Sequence, residues 1–64
     1  MWIVNKYGVA INTDCVARFR TDGNLVVADM MGLPQIVTAT VVGETTVEEI
    51  MRHISLGIKF MEVE

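Results

Sequence analysis

Two side chains in this sequence have the reactivity that catalysis needs. They are the thiol of Cys15 and the imidazole of His53, each the sole residue of its type. A nucleophile requires a base to activate it and a third group to orient that base. Nothing in the sequence joins these two. Cys15 opens an alternating run that reads as a strand, where a free cysteine behaves as a small buried hydrophobe. His53 falls in the middle of a helical pattern, beside Arg52, and is expected on a partly exposed helix surface. One Cys and one His cannot supply the four N or S ligands of structural zinc. The carboxylates Glu48 and Glu49 open the helix, where capping and the helix dipole explain them. The glycines are scattered at turns, apart from Gly57, and form no phosphate-binding loop. The expectation is a protein that is not an enzyme and uses no cofactor or metal.

Arg18 and Arg20 share one strand face and could contact RNA or DNA phosphates. The chain has only five Lys and Arg residues and a formal net charge of −3. No aromatic residue has the same strand parity as the two arginines. A solvated strand face is therefore the first expectation for them, and nucleic-acid binding the second.

The elements that position these residues follow from periodicity. Residues 2–4 (Trp2, Ile3, Val4) are aromatic and β-branched and read as a strand. Asn5 to Gly8 supplies a turn, and 9–11 a second short strand. Residues 15–21 alternate, with Cys15, Ala17 and Phe19 on one face and Val16, Arg18 and Arg20 on the other. Asp22-Gly23-Asn24 is a hairpin signal leading into 25–28. Two registers are open. An Asp-Gly turn pairs Phe19 with Val26, whereas a Gly-Asn turn sets Arg18 opposite Asp29. Residues 30–34 carry the single proline and read as a loop or a wider hairpin turn. Residues 35–42 form the last strand, with Val37, Ala39 and Val41 on one face and Ile36, Thr38, Thr40 and Val42 on the other. Thr45 and Thr46 are alternative N-caps, each followed three residues later by Glu. Val47, Ile50, Met51, Ile54, Ile58 and Met61 then recur at helical spacing. Gly57 interrupts that stripe and marks close packing, a kink or an early end. Leu56 and Phe60 form a second apolar pair beside it.

The fold class expected is α+β. An antiparallel β-meander of four to five short strands (about 2–42) carries one C-terminal amphipathic helix (about 46–61) packed on one face, all in one domain spanning 1–64. The helix covers one face. The other, with Val16, Arg18, Arg20, Ile36 and Val42, has nothing in the chain to cover it. Together with Trp2, a large apolar anchor, these residues form the expected interaction surface.

A chain of 64 residues buries roughly 60% of its unfolded surface and needs a staple or a partner. With a single cysteine, an internal disulfide is excluded. A homo-oligomer, or contact with another protein, is the expected remedy. No run of about 20 apolar residues is available to span a bilayer. The first residues lack the charged and apolar regions of an export signal, so the cytoplasm is the expected location.

Two resemblances bear on this. Met1-Trp2-Ile3, a polar turn ending in Gly8, Ile11-Asn12-Thr13-Asp14 and the helix opening Gly43-Glu44-Thr45-Thr46-Val47-Glu48-Glu49 resemble a group of small Firmicutes and phage proteins beginning Met-Trp-Ile. That likeness implies a meander plus helix, a bacterial or phage source and no established function. Trp2-Ile3-Val4 and Val47-Glu48-Glu49-Ile50 are similarly placed to segments of the CsrA family of RNA-binding regulators, dimers of five short strands and a C-terminal helix. That family carries an arginine just before its helix, where this chain has Glu44, Thr45 and Thr46. The leading expectation is a non-enzymatic interaction protein acting as a homo-oligomer. The alternative is an RNA- or DNA-binding regulator with a CsrA-like architecture using Arg18 and Arg20.

Overall fold

The computed structural model describes residues 1–31 and 38–64. The protein is α+β. Among the described residues it forms β1 (Trp2–Asn5), β2 (Ala10–Asn12), a 3-10 turn (Thr13–Cys15), β3 (Val16–Asp22), β4 (Leu25–Met30), β5 (Thr38–Gly43), α1 (Val47–Ser55) and β6 (Phe60–Val63). The strands form two three-stranded sheets, ordered β2-β1-β6 and β3-β4-β5. The second is the expected antiparallel meander. In the first, β1 and β2 are an antiparallel hairpin and β6 joins β1 in parallel.

The sheets pack on each other. Ile3, Ile11, Met61 and Val63 from one meet Val26, Ala28 and Val42 from the other, and Ile50 of α1 completes the same cluster. This corrects the expected layering. The inner face of the meander is covered by a second sheet, and the helix contributes a single fully buried residue, Ile50.

The β3–β4 hairpin adopts the Gly-Asn register. Asp22 pairs with Leu25, Phe19 with Ala28 and Arg18 with Asp29, and Gly23 takes a φ of 62° to make the turn. Two bulges then alter which residues face the core. Between the Val16–Met30 and Arg18–Asp29 pairs, Ala17 is an extra residue. Val16 and Phe19 therefore both pack on the core although their parity differs. On β5, Val42 is extra between the partners Val41 and Gly43, and it is fully buried.

The helix is shorter than expected. Thr46 is the N-cap, its side chain accepting from the Glu49 amide at 3.1 Å. The Glu49 carboxylate takes two hydrogen bonds from Arg52 at 2.6 and 2.7 Å. The helix ends at Ser55 because Gly57 adopts a φ of 72°. The Gly57 amide donates to Ile54 O at 3.0 Å and the Ile58 amide to His53 O at 3.1 Å. This pair of bonds is a Schellman closure, which satisfies carbonyls that the helix would otherwise leave open. The expected continuation to 61 is replaced by β6, in which Met61 and Val63 are buried and Phe60 and Glu62 exposed.

Asn5 ties the sheets together. Its side-chain oxygen accepts from the Tyr7 and Val9 amides, both at 3.0 Å, and shapes the β1–β2 turn. Its Nδ2 donates to Val41 O on β5, also at 3.0 Å. Where β5 ends, the Glu44 amide donates to Glu64 O at 2.7 Å, so the end of β5 meets the end of β6.

Candidate interaction surface

The residues expected to share one open face are divided by the fold. Val16 and Val42 turn inward, for the reason the bulges give. Ile36 lies outside the described residues. Arg18 and Arg20 project from the outer face of the meander, and Trp2 stands on the outer face of the other sheet.

The arginines are built around Asp29. This residue lies on the central strand β4 and is only 5% exposed. Arg18 Nε donates to its Oδ2 at 2.5 Å, and Arg20 Nε donates to both oxygens at 3.2 and 3.3 Å. The hydrogen bond from Arg18 holds the Asp29 carboxyl below its usual range. Burial opposes this, and the bond and charge of Arg20 reinforce it. The next outward residue on β4, Val27, is paired with Arg20 on one side and Val41 on the other and is buried. Arginine stems flanking a strand face shield apolar neighbours in this way while their heads stay wet. The Arg18 side chain is 72% exposed. The arrangement is a polar cover on a sheet face in which one carboxylate offsets one of two guanidinium charges.

The other face is apolar. Trp2 and Phe60 are direct partners in the parallel β1–β6 pair, and both point outward. Trp2 is 44% exposed and Phe60 66%. Ile54 and Ile58 are also exposed and line one depression with these two aromatics. Met51, one turn before Ile54 on α1, is exposed too. Taking ~200 Å² for a whole aromatic side chain, Trp2 and Phe60 alone leave roughly 200 Å² of apolar surface uncovered. Ile54 and Ile58 extend this toward the few hundred Å² at which an apolar patch marks a binding surface. Trp2 stands out in the sequence as an apolar anchor, whereas the spacing of Ile58 and Phe60 continues the helical pattern. The alternation of Phe60, Met61, Glu62 and Val63 was the signal for a strand, and it was masked by the helical spacing of Ile54, Ile58 and Met61. A smaller depression lies between Tyr7, Val9, Leu25 and Val41.

A groove of about 420 Å³ runs beside β6, walled by Glu44, Thr45, Glu49 and His53 on one side and by β6 with Glu64 on the other. His53 Nδ1 lies 2.7 Å from the Glu49 carbonyl oxygen. A carbonyl can only accept, so Nδ1 carries the proton there. Cys15 is exposed, contrary to expectation, and it does not line this groove. The structure therefore does not bring the thiol and the imidazole together at this site. Among the described residues, no group of three His, Cys, Asp or Glu is placed to hold a metal ion. Within the same limits, no helix is long and apolar enough to cross a membrane.

No protein-family model, curated protein or solved structure matches this chain, so what can be said of its function rests on the geometry of these surfaces.

Proposed function

We propose that this chain is a non-enzymatic interaction module that associates with itself through the face built on Trp2 and Phe60. The observation that carries the reading is the pairing of these two exposed aromatics, flanked by Ile54 and Ile58. Aromatic anchors at the centre of a patch dominate interface energetics. The meander face first expected to drive self-association loses Val16 and Val42 to the core and keeps Arg18 and Arg20 around Asp29, so the apolar patch of Trp2 and Phe60 supports the reading instead. Its apolar area falls well short of the ~800 Å² per partner of a standard interface. The association is therefore weak, in the micromolar range or above. The Met-Trp-Ile resemblance and the unpaired thiol make a bacterial or phage-encoded cytoplasmic protein the setting of this reading. The alternative, an RNA- or DNA-binding regulator using Arg18 and Arg20, has less support. Asp29 sits between the two guanidiniums, and the net charge of −3 opposes a polyanion.

Light scattering after size-exclusion chromatography tests the proposal over a concentration series reaching the high micromolar range. The expected result is a mass rising toward a dimer or larger assembly. The emission of Trp2, the sole tryptophan, should shift to the blue in parallel. Phe60→Asp should abolish both changes while leaving the circular dichroism spectrum intact. A monomer at every concentration would overturn the proposal, and so would an assembly indifferent to Phe60→Asp.

A further inference from the structure

β6 ends its sheet, in the order β2-β1-β6, so its outer side presents backbone groups as well as side chains. In a parallel ladder, alternate residues of an edge strand turn their N–H and C=O away from the neighbour. The register pairs Trp2 with Phe60, and the Trp2 amide donates to Lys59 O at 2.9 Å. That geometry commits the backbone of Met61 and the Val63 amide to β1. It leaves the backbone N–H and C=O of Phe60 and Glu62 facing outward. Among the described residues, β1 is the neighbour to which β6 pairs. Beyond Glu62 the edge closes, because Glu64 O accepts from the Glu44 amide.

The free backbone opens beside the groove between β6 and α1. That groove is acidic. Glu44, Glu62 and Glu64 line it together with Glu49, whose charge Arg52 offsets, and His53 is the nitrogen base among its lining residues. We propose that this groove takes an extended, basic peptide segment of another protein as an added strand on β6. Main-chain bonds at Phe60 and Glu62 would provide the pairing, and the acidic walls the selection for lysine or arginine. Charge excludes a second copy from the same edge, since pairing β6 with β6 would bring two sets of the same glutamates together. The proposal is thus independent of self-association, which uses the side chains of Trp2 and Phe60.

The test is a ¹⁵N-resolved NMR titration of the whole chain with a blocked pentapeptide, Lys-Val-Lys-Val-Lys. Two controls accompany it: the same peptide N-methylated at alternate residues, and Glu-Val-Glu-Val-Glu. The expected result is a saturable shift of the Phe60 and Glu62 amides with the first peptide only. Affinity should fall about tenfold for the double variant Glu62→Gln, Glu64→Gln, whose exposed positions leave the fold intact. Absence of shifts at these amides would overturn the proposal. Equal binding of the methylated peptide would reduce it to non-specific charge attraction and overturn it too. Equal binding of the glutamate peptide would refute the claimed partner chemistry.

Discussion

Replacing Gly43 by alanine tests the joint between the two sheets. Gly43 has a φ of 136°, a conformation that side-chain-bearing residues rarely adopt. Forcing alanine into it costs about 1–3 kcal/mol. Space is the second problem. An added Cβ would overlap the Glu64 carbonyl oxygen and sit 2.8 Å from Val63 Cγ1. One of these neighbours is backbone and cannot rotate aside, so the end of β6 must retreat from β5. Retreat breaks the bond from the Glu44 amide to Glu64 O, worth about 1 kcal/mol. It also loosens Val63, a member of the core. The combined loss is about 2–4 kcal/mol, a large part of the stability of a domain this small. The melting temperature should fall by roughly 15–30 °C. Gly8→Ala is the control. Its φ is 77°, but nothing lies within 4 Å of its added Cβ, so only the backbone cost of about 1–2 kcal/mol applies. Urea and thermal unfolding followed by circular dichroism would measure both variants. If they lose the same stability within about 0.5 kcal/mol, contact between Gly43 and β6 is not what requires glycine, and the account of the joint is wrong.

Other consequences follow from single positions. Because the pKa of Asp29 is lowered in the folded state, its contribution to stability is full above its unfolded value near 3.8 and is lost as pH falls through the lower folded value; Asp29→Asn should flatten the acid limb of a stability–pH curve below that unfolded value, and an unchanged limb would contradict the role given to Arg18 and Arg20. Ile50→Ala should cost about 2–5 kcal/mol in chemical denaturation, since Ile50 is the one helix residue buried in the core, whereas Met51→Ala, at an exposed position, should cost under about 1 kcal/mol; equal losses would mean that the helix packs through a different face. Asn5→Asp removes the donor to Val41 O and sets a carboxylate against that carbonyl; a loss of about 2 kcal/mol with faster amide exchange in β5 is expected, and neutrality would show that Asn5 does not bridge the sheets.

Local rules account for much of this protein. The alternation in β3, the Gly-bearing turn after Asp22 and the threonine cap before Val47 depend on neighbours a few residues apart, so they were legible in the sequence. The charge pattern likewise placed Arg18 and Arg20 outward, although only the register joined them to Asp29, eleven and nine residues along the chain. Three features came from tertiary structure alone. The bulges at Ala17 and Val42 answer to strand twist and sheet closure, which leave no local signature, and they turned two residues expected outside into the core. The run after Gly57 satisfies helical and strand spacing at once over too few residues to separate them. Pairing with β1, more than fifty residues away, decided for the strand. Because β6 joined β1, the chain built a second sheet and covered its own meander. The bulges drew Val16 and Val42 inward and left the face around Arg18 and Arg20 exposed but polar, so the exposed apolar surface lies where Trp2 and Phe60 stand side by side.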